Sequence, residues 1–133
     1  MEKLLSMLYA LRFGVSDVHY YVKGDDFWGD HKFADDLRSD IMEWIDQINE
    51  VCFLGSQKET PYSKDIITDS LQYIPVKTQD SELLFRNVRE LIFDILSHIE
   101  SLLPDSTAGE ANLVGGIAQE LQQRYGLLWR RTR

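Results

Sequence analysis

Apolar side chains recur every three or four residues along most of this chain, and that period restricts it to a helical fold. An α-helix turns about 100° per residue, so this spacing gathers apolar side chains on one face. The stripes comprise Leu4, Leu8, Leu11, Val15, Val18 and Val22; Phe33, Leu37, Ile41, Trp44, Ile48 and Val51; Leu84, Val88, Leu91, Ile95, Ile99 and Leu102; and Leu113, Ile117, Leu121, Tyr125 and Leu128. Four amphipathic helices are therefore predicted.

Turn residues separate the four stripes. The first helix should stop near Gly24, where Asp25 or Asp26 can cap the second helix, and the second should run to Gly55. The third helix is expected over residues 80–103 and the last over residues 108–129. The segment between Gly55 and the third helix is too long for a plain turn and can hold a short helix within residues 62–73. The fold class is therefore all-α, a four-helix bundle with a long crossover between helices 2 and 3, forming a single domain over residues 1–133.

Composition excludes several classes of protein. The chain has 133 residues, of which 44% are hydrophobic, and a formal net charge of −8. No apolar run reaches the ~18 residues of a membrane span. The acidic balance argues against a nucleic-acid-binding surface, and residues 130–133 are expected to be a frayed, solvated tail. The single cysteine, Cys52, excludes an intrachain disulfide and is expected to be an inert packed thiol, so a cytoplasmic location is expected.

Polar residues on the second helix form two pairs that could bind a metal. His31 and Asp35 are four residues apart, as are Asp46 and Glu50. Counted from His31 at about 100° per residue, the three acids lie at about 40°, 60° and 100°, whereas the apolar stripe lies at about 200–280°. These four side chains therefore face away from the chain's own core.

The two pairs can share one metal only across two chains. Their centres are about 15 residues apart, or about 22 Å along the helix. If two copies of the helix cross antiparallel about a two-fold axis near residues 40 and 41, the first pair of each chain meets the second pair of the other. His19, level with residue 33 across the hairpin, could join His31 and Asp35.

The assembled set of two imidazoles and three carboxylates suits Fe(II) and also tolerates Zn(II) or Mn(II). Spacing alone leaves open a second interpretation, in which the polar face is solvated or holds an interface by ion pairs. Asp94 and His98 are also four residues apart, but without further ligands they are expected to be a helix surface pair. Trp44 and Trp129 are expected in the core.

The segment His19-Tyr20-Tyr21-Val22-Lys23-Gly24 resembles the LHWNVKG segment of the Dps family, the miniature ferritins of the ferritin-like superfamily. The spacings 12, 4, 11 and 4 from His19 through His31, Asp35 and Asp46 to Glu50 match the family's five ferroxidase ligands. The helix order and the short crossover helix extend the resemblance over nearly the whole chain.

This resemblance implies a ferritin-like bundle that assembles from two-fold dimers into a hollow dodecamer. Iron(II) would be oxidised, preferably by hydrogen peroxide, at mono-iron or di-iron sites between subunits, and ferric mineral stored inside. His19, His31 and Asp35 would come from one subunit, and Asp46 and Glu50 from its partner.

The chain departs from the family at three points. Tyr20 stands where the family usually has an oxidisable tryptophan, a role open to Tyr20, Tyr21 or Trp28, and Asp30 replaces the usual leucine. The lysine-rich N-terminal extension is absent, which argues against DNA binding and against a nucleoid-associated protein. The alternative function is a non-catalytic ferritin-like scaffold with at most a structural metal.

Overall fold

A computed structural model describes residues 1–132 and shows five α-helices and no strand over that range. Their bounds are α1 Glu2–Tyr21, α2 Phe27–Ile48, α3 Ser63–Ser70, α4 Ser81–Leu102 and α5 Ala108–Arg131. The prediction of four long helices with a short one in the crossover is confirmed. None of the described helices is both long and apolar enough to span a bilayer.

The four long helices form two hairpins. α1 packs against α2 and α4, α4 packs against α5, and α5 touches α2, which closes the ring of the bundle. The short α3 lies against α1. Every member of the first predicted stripe is buried, as are most members of the other three. The apolar pattern therefore fixes which face of each helix meets the core.

Polar caps start the last two long helices. The carboxylate of Asp80 accepts hydrogen bonds from the amides of Glu82 and Leu83 at 3.0 and 3.3 Å. Thr107 and Glu110 cap each other's backbone amides at 3.2 and 3.1 Å in a capping box. Each cap satisfies amides that the first turn of a helix leaves free.

The end of the second helix differs from the prediction. α2 ends at Ile48, a π-helical turn follows over Asn49–Phe53, and the left-handed residue is Gln57 rather than Gly55. A π-turn adds one residue to the ladder, so the side chains after it rotate by about 100°. Val51 is consequently exposed, while Cys52 and Phe53 enter the core. Burial raises the pKa of the Cys52 thiol.

The end of α5 also corrects two expectations. Trp129 is 42% exposed rather than a core residue. The helix continues through Arg131, whose Nε and Nη2 donate to the two carboxylate oxygens of Asp30 at 3.1 and 2.9 Å. These hydrogen bonds raise the pKa of Arg131 above its ordinary value. The expected frayed tail is therefore fixed to the bundle through residue 132, and Arg133 lies outside the described residues.

The crossover packs closely on α1 at Gly14. A Cβ at this position would lie 2.9 Å from Pro75 Cγ and 3.0 Å from Pro75 Cδ. The side-chain amide of Asn87 donates a hydrogen bond to the backbone carbonyl of Val76 at 3.1 Å. This bond anchors Val76, the residue after Pro75, to α4. Gly14 thus allows the connection to lie directly on the bundle.

We expect Gly14→Ala to lower the free energy of unfolding by about 1–3 kcal/mol, because the added methyl group overpacks this contact. Gly116→Ala is the matched control, since nothing lies within 4 Å of its added Cβ in α5. That change should raise stability by about 0.5–1 kcal/mol through the better helix propensity of alanine. Urea unfolding followed by circular dichroism measures both, and wild-type stability for Gly14→Ala would contradict the close packing.

Candidate metal centre

Two histidines meet where the first hairpin turns. His19 lies in the last turn of α1 and His31 in the second turn of α2, and Gly24 between them adopts φ +94°. A left-handed backbone costs glycine little, so the chain can reverse within a few residues. The two imidazole rings stack with their centroids 3.8 Å apart and their planes 24° from parallel. The structure therefore brings together the two predicted nitrogen ligands.

Reciprocal hydrogen bonds orient the two rings. His19 Nδ1 lies 3.3 Å from the carbonyl oxygen of His31, and His31 Nδ1 lies 2.9 Å from the carbonyl oxygen of His19. A carbonyl can only accept, so each Nδ1 carries the proton. In the neutral imidazole, Nε2 is then left with a free lone pair. Metal-binding histidines are commonly held in this way, with the second nitrogen bonded to a carbonyl or carboxylate.

Aromatic rings flank the histidine pair on both sides. Phe27 stacks on His31 with centroids 5.1 Å apart, and Tyr20 meets His19 edge-on at 5.0 Å. His19 is 9% exposed, so this ring is largely removed from solvent. These ring contacts restrict the rotation of both imidazoles.

Asp35 lies one turn after His31 and is bonded to an arginine. Its Oδ1 accepts a hydrogen bond from Arg38 Nη2 at 2.9 Å. Arg38 Nη1 lies 3.4 Å from the Tyr20 hydroxyl, and the guanidinium carbon lies 5.8 Å from the Tyr20 ring centroid. Arg38 was not among the predicted site residues, although its position three residues after Asp35 on one helix was the signal that could have identified it.

The remaining predicted ligands, Asp46 and Glu50, lie at the other end of the second helix. Both are exposed, and neither forms an ion pair with any residue in the range 1–132. Glu50 belongs to the π-helical turn that follows α2. Their carboxylates are therefore available to a cation or to a second chain.

Within one chain these ligands do not form a complete site. Over residues 1–132, no three histidine, cysteine or acidic side chains are close enough together to hold a metal ion. The carboxylate pair at Asp46 and Glu50 is separated from the histidines along the helix. A five-ligand site remains a prediction that requires a partner subunit.

The other singled-out residues contribute less. Asp30 is 7% exposed, and its carboxylate accepts hydrogen bonds from Arg131. Trp28 is 80% exposed and packs on Phe27, and the Tyr21 hydroxyl accepts a hydrogen bond from Lys77 at 2.6 Å. Burial and the nearby charge of Lys3 lower the pKa of His98, so this imidazole resists protonation.

Comparison with solved structures identifies the fold. The chain is similar to a mutant of Mycobacterium smegmatis Dps1, with a TM-score of 0.81 over 99% of this chain and 91% of the other, at 16% sequence identity. The chain has the ferritin-like fold of a Dps protein. No family model matches it, and no curated protein does. The structural likeness therefore extends over nearly the whole Dps chain although few residues are identical.

Proposed function

We propose that the protein is a Dps-like ferroxidase that oxidises Fe(II), with hydrogen peroxide as the oxidant, and stores the ferric product inside a hollow dodecamer. The observation that carries the proposal is the histidine pair, stacked at 3.8 Å and bonded through both Nδ1 atoms. The ferritin-like fold also supports the proposal, and the sequence resemblance leads us to expect the family's two histidine ligands at residues 19 and 31.

The donor atoms suit iron as the substrate. Each imidazole offers one unprotonated Nε2, and Asp35, Asp46 and Glu50 offer carboxylate oxygens, a mixed set that binds Fe(II) and accepts Zn(II) or Mn(II) in its place. Carboxylates also stabilise the ferric product. Two Fe(II) ions supply the two electrons that reduce one hydrogen peroxide, whose O–O bond breaks and which takes up two protons from solvent to give two molecules of water. Protons released by hydrolysis of Fe(III) pass to solvent.

The site we propose is shared between two subunits. Antiparallel crossing of two α2 helices near residues 40 and 41 would bring Asp46 and Glu50 of one chain to His31 and Asp35 of the other. The exposure of Asp46 and Glu50 supports this pairing, since neither carboxylate has an ion-pair partner in the described part of its own chain. A two-fold dimer holds two equivalent sites. We also propose a cytoplasmic location, because a single cysteine cannot form an intrachain disulfide, and the net charge of −8 disfavours DNA as a partner.

Stopped-flow absorbance after mixing metal-free protein with Fe(II) and hydrogen peroxide tests the proposal, with molar mass from light scattering on the same sample. We expect oxidation much faster than in protein-free buffer, by a particle of about twelve 15.5 kDa chains. Oxidation no faster than in buffer would contradict the proposed ferroxidase function and favour the non-catalytic scaffold. The observation behind that second candidate is that Asp35 is already paired with Arg38.

A further inference from the structure

Arg38 connects two elements of the candidate metal centre. One guanidinium nitrogen donates to Asp35 Oδ1 at 2.9 Å, and the other lies 3.4 Å from the hydroxyl of Tyr20 on α1. The Tyr20 ring in turn contacts the His19 ring edge-on. Arg38 therefore links a predicted oxygen ligand on α2 to the residue next to a predicted nitrogen ligand on α1.

The Asp35–Arg38 ion pair contributes little to the stability of the bundle. The Asp35 side chain is 57% exposed, whereas that of Arg38 is 25% exposed. An exposed pair contributes little to folding because solvent screens the attraction. The main effect of the pair is geometric, because Arg38 holds Oδ1 of Asp35 while Oδ2 of the same carboxylate has no hydrogen-bond partner in residues 1–132. One carboxylate oxygen is thus held by the protein and the other is left for a ligand.

We propose that Arg38, itself held by Tyr20, is a positioning residue that orients Asp35 to bind metal through Oδ2. The inference rests on the proposed function and adds a residue to its machinery. Carboxylates that bind metals are generally held by a hydrogen bond to their second oxygen, and loss of such a partner weakens metal binding. Tyr20, Asp35 and Arg38 line one open groove of about 390 Å³ together with Arg12, so the Asp35 side chain is accessible from solvent.

The planar guanidinium is essential to this role. Two of its nitrogens contact two different side chains, on α1 and on α2, at the same time. A lysine ammonium in the same place offers one nitrogen on a flexible stem and cannot reproduce a planar fork. Arg38→Lys keeps the charge and removes the geometry, so it separates orientation from electrostatics.

Titration of the metal-free protein with Co(II) alone tests the proposal through the dissociation constant and the visible d–d absorption bands. Arg38→Met and Arg38→Lys should both weaken Co(II) binding by about 10–100-fold and change the bands. Tyr20→Phe should weaken it by about 3-fold, the size of one lost hydrogen bond. Lys32→Met is the matched control, because it breaks the exposed Lys32–Asp36 pair on the same helix and should change neither quantity.

The sign of the effect distinguishes positioning from competition. If Arg38 only competes with the metal for Asp35, Arg38→Met tightens Co(II) binding and Arg38→Lys leaves it unchanged, which would overturn the proposal. Equal affinity and unchanged bands in all variants would overturn it too. Wild-type protein that binds no Co(II), or binds it equally well after His31→Ala, would contradict the proposed function itself. Thermal unfolding of each variant confirms that the fold is retained.

Discussion

His31→Ala is expected to slow Fe(II) oxidation by more than about 100-fold, because even the loss of a group that only supports a metal ligand costs about 10–100-fold. The substitution removes one of the two nitrogen donors and the hydrogen bond to the His19 carbonyl at 2.9 Å. The apolar core does not include this side chain, so helix content should be retained. Stopped-flow oxidation and circular dichroism on one preparation measure both effects.

Asp36→Ala is the matched control for this experiment. Asp36 is adjacent to Asp35 but pairs with Lys32 at 3.3 Å on an exposed face. Its loss should leave the oxidation rate unchanged. Fast oxidation by His31→Ala protein would show that the histidine pair is not the site. If the His31→Ala protein unfolds while the Asp36→Ala protein stays folded, the histidine pair has a structural role.

Mixed assemblies decide whether the site is shared between subunits. When His31→Ala and Asp46→Ala chains are refolded together, each mixed dimer should contain one intact site and one doubly broken site. Random pairing then restores about a quarter of wild-type activity, since about half of the dimers are mixed. His31→Ala mixed with Asp35→Ala should restore none, because both ligands belong to the same side of every site. Equal recovery in the two mixtures would contradict the shared geometry.

Periodicity predicted the helices because each apolar stripe must be buried whatever the topology. It could not predict the π-turn after Ile48, since no local signal separates five-residue from four-residue hydrogen bonding there. That one extra residue exposes Val51 and buries Phe53, which reverses the pattern of a continuous helix. The prediction was therefore right that the segment is helical and wrong about which side chains after Ile48 face the core.

Spacing likewise predicted which residues of the candidate metal centre could meet, and the stacked histidines agree with it. It did not reveal the partners of those residues. Arg131 is about 100 positions from Asp30 along the chain, so their pairing depends on how α5 lies beside α2. Without the structure, an arginine in such an arginine-rich segment is typical of a solvated tail. Contacts between distant helices therefore required the structure.

Arg131→Ala should lower the free energy of unfolding by about 2–4 kcal/mol, which is less than the ~3–5 kcal/mol of a fully buried pair because the arginine is partly exposed. Its guanidinium holds both carboxylate oxygens of Asp30, also bonds Glu82, and lies 5.0 Å from the Phe85 ring centroid. Removal leaves the Asp30 carboxylate, which is 7% exposed, without its counter-charge. Urea unfolding measures the loss.

Arg130→Ala is the control, because this neighbouring arginine is exposed and its guanidinium carbon lies over the Trp129 ring, 5.7 Å from the centroid. Its effect should stay within about 0.5 kcal/mol. Equal effects of the two substitutions would show that the Asp30 pair contributes nothing specific.

The double variant Asp30→Ala/Arg131→Ala separates the ion pair from its surroundings. A buried ion pair is destabilising to break but often nearly neutral to remove, so the double variant should lose less stability than the sum of the two single variants. Asp30 precedes His31 directly on α2, and the Asp30–Arg131 pair therefore holds the start of the helix that carries His31, whose ring stacks on His19 of α1. Co(II) binding should accordingly weaken more in Arg131→Ala than in the double variant, in which no buried charge disturbs the start of α2. Wild-type Co(II) affinity in both variants would show that the ion pair stabilises the bundle without orienting the site.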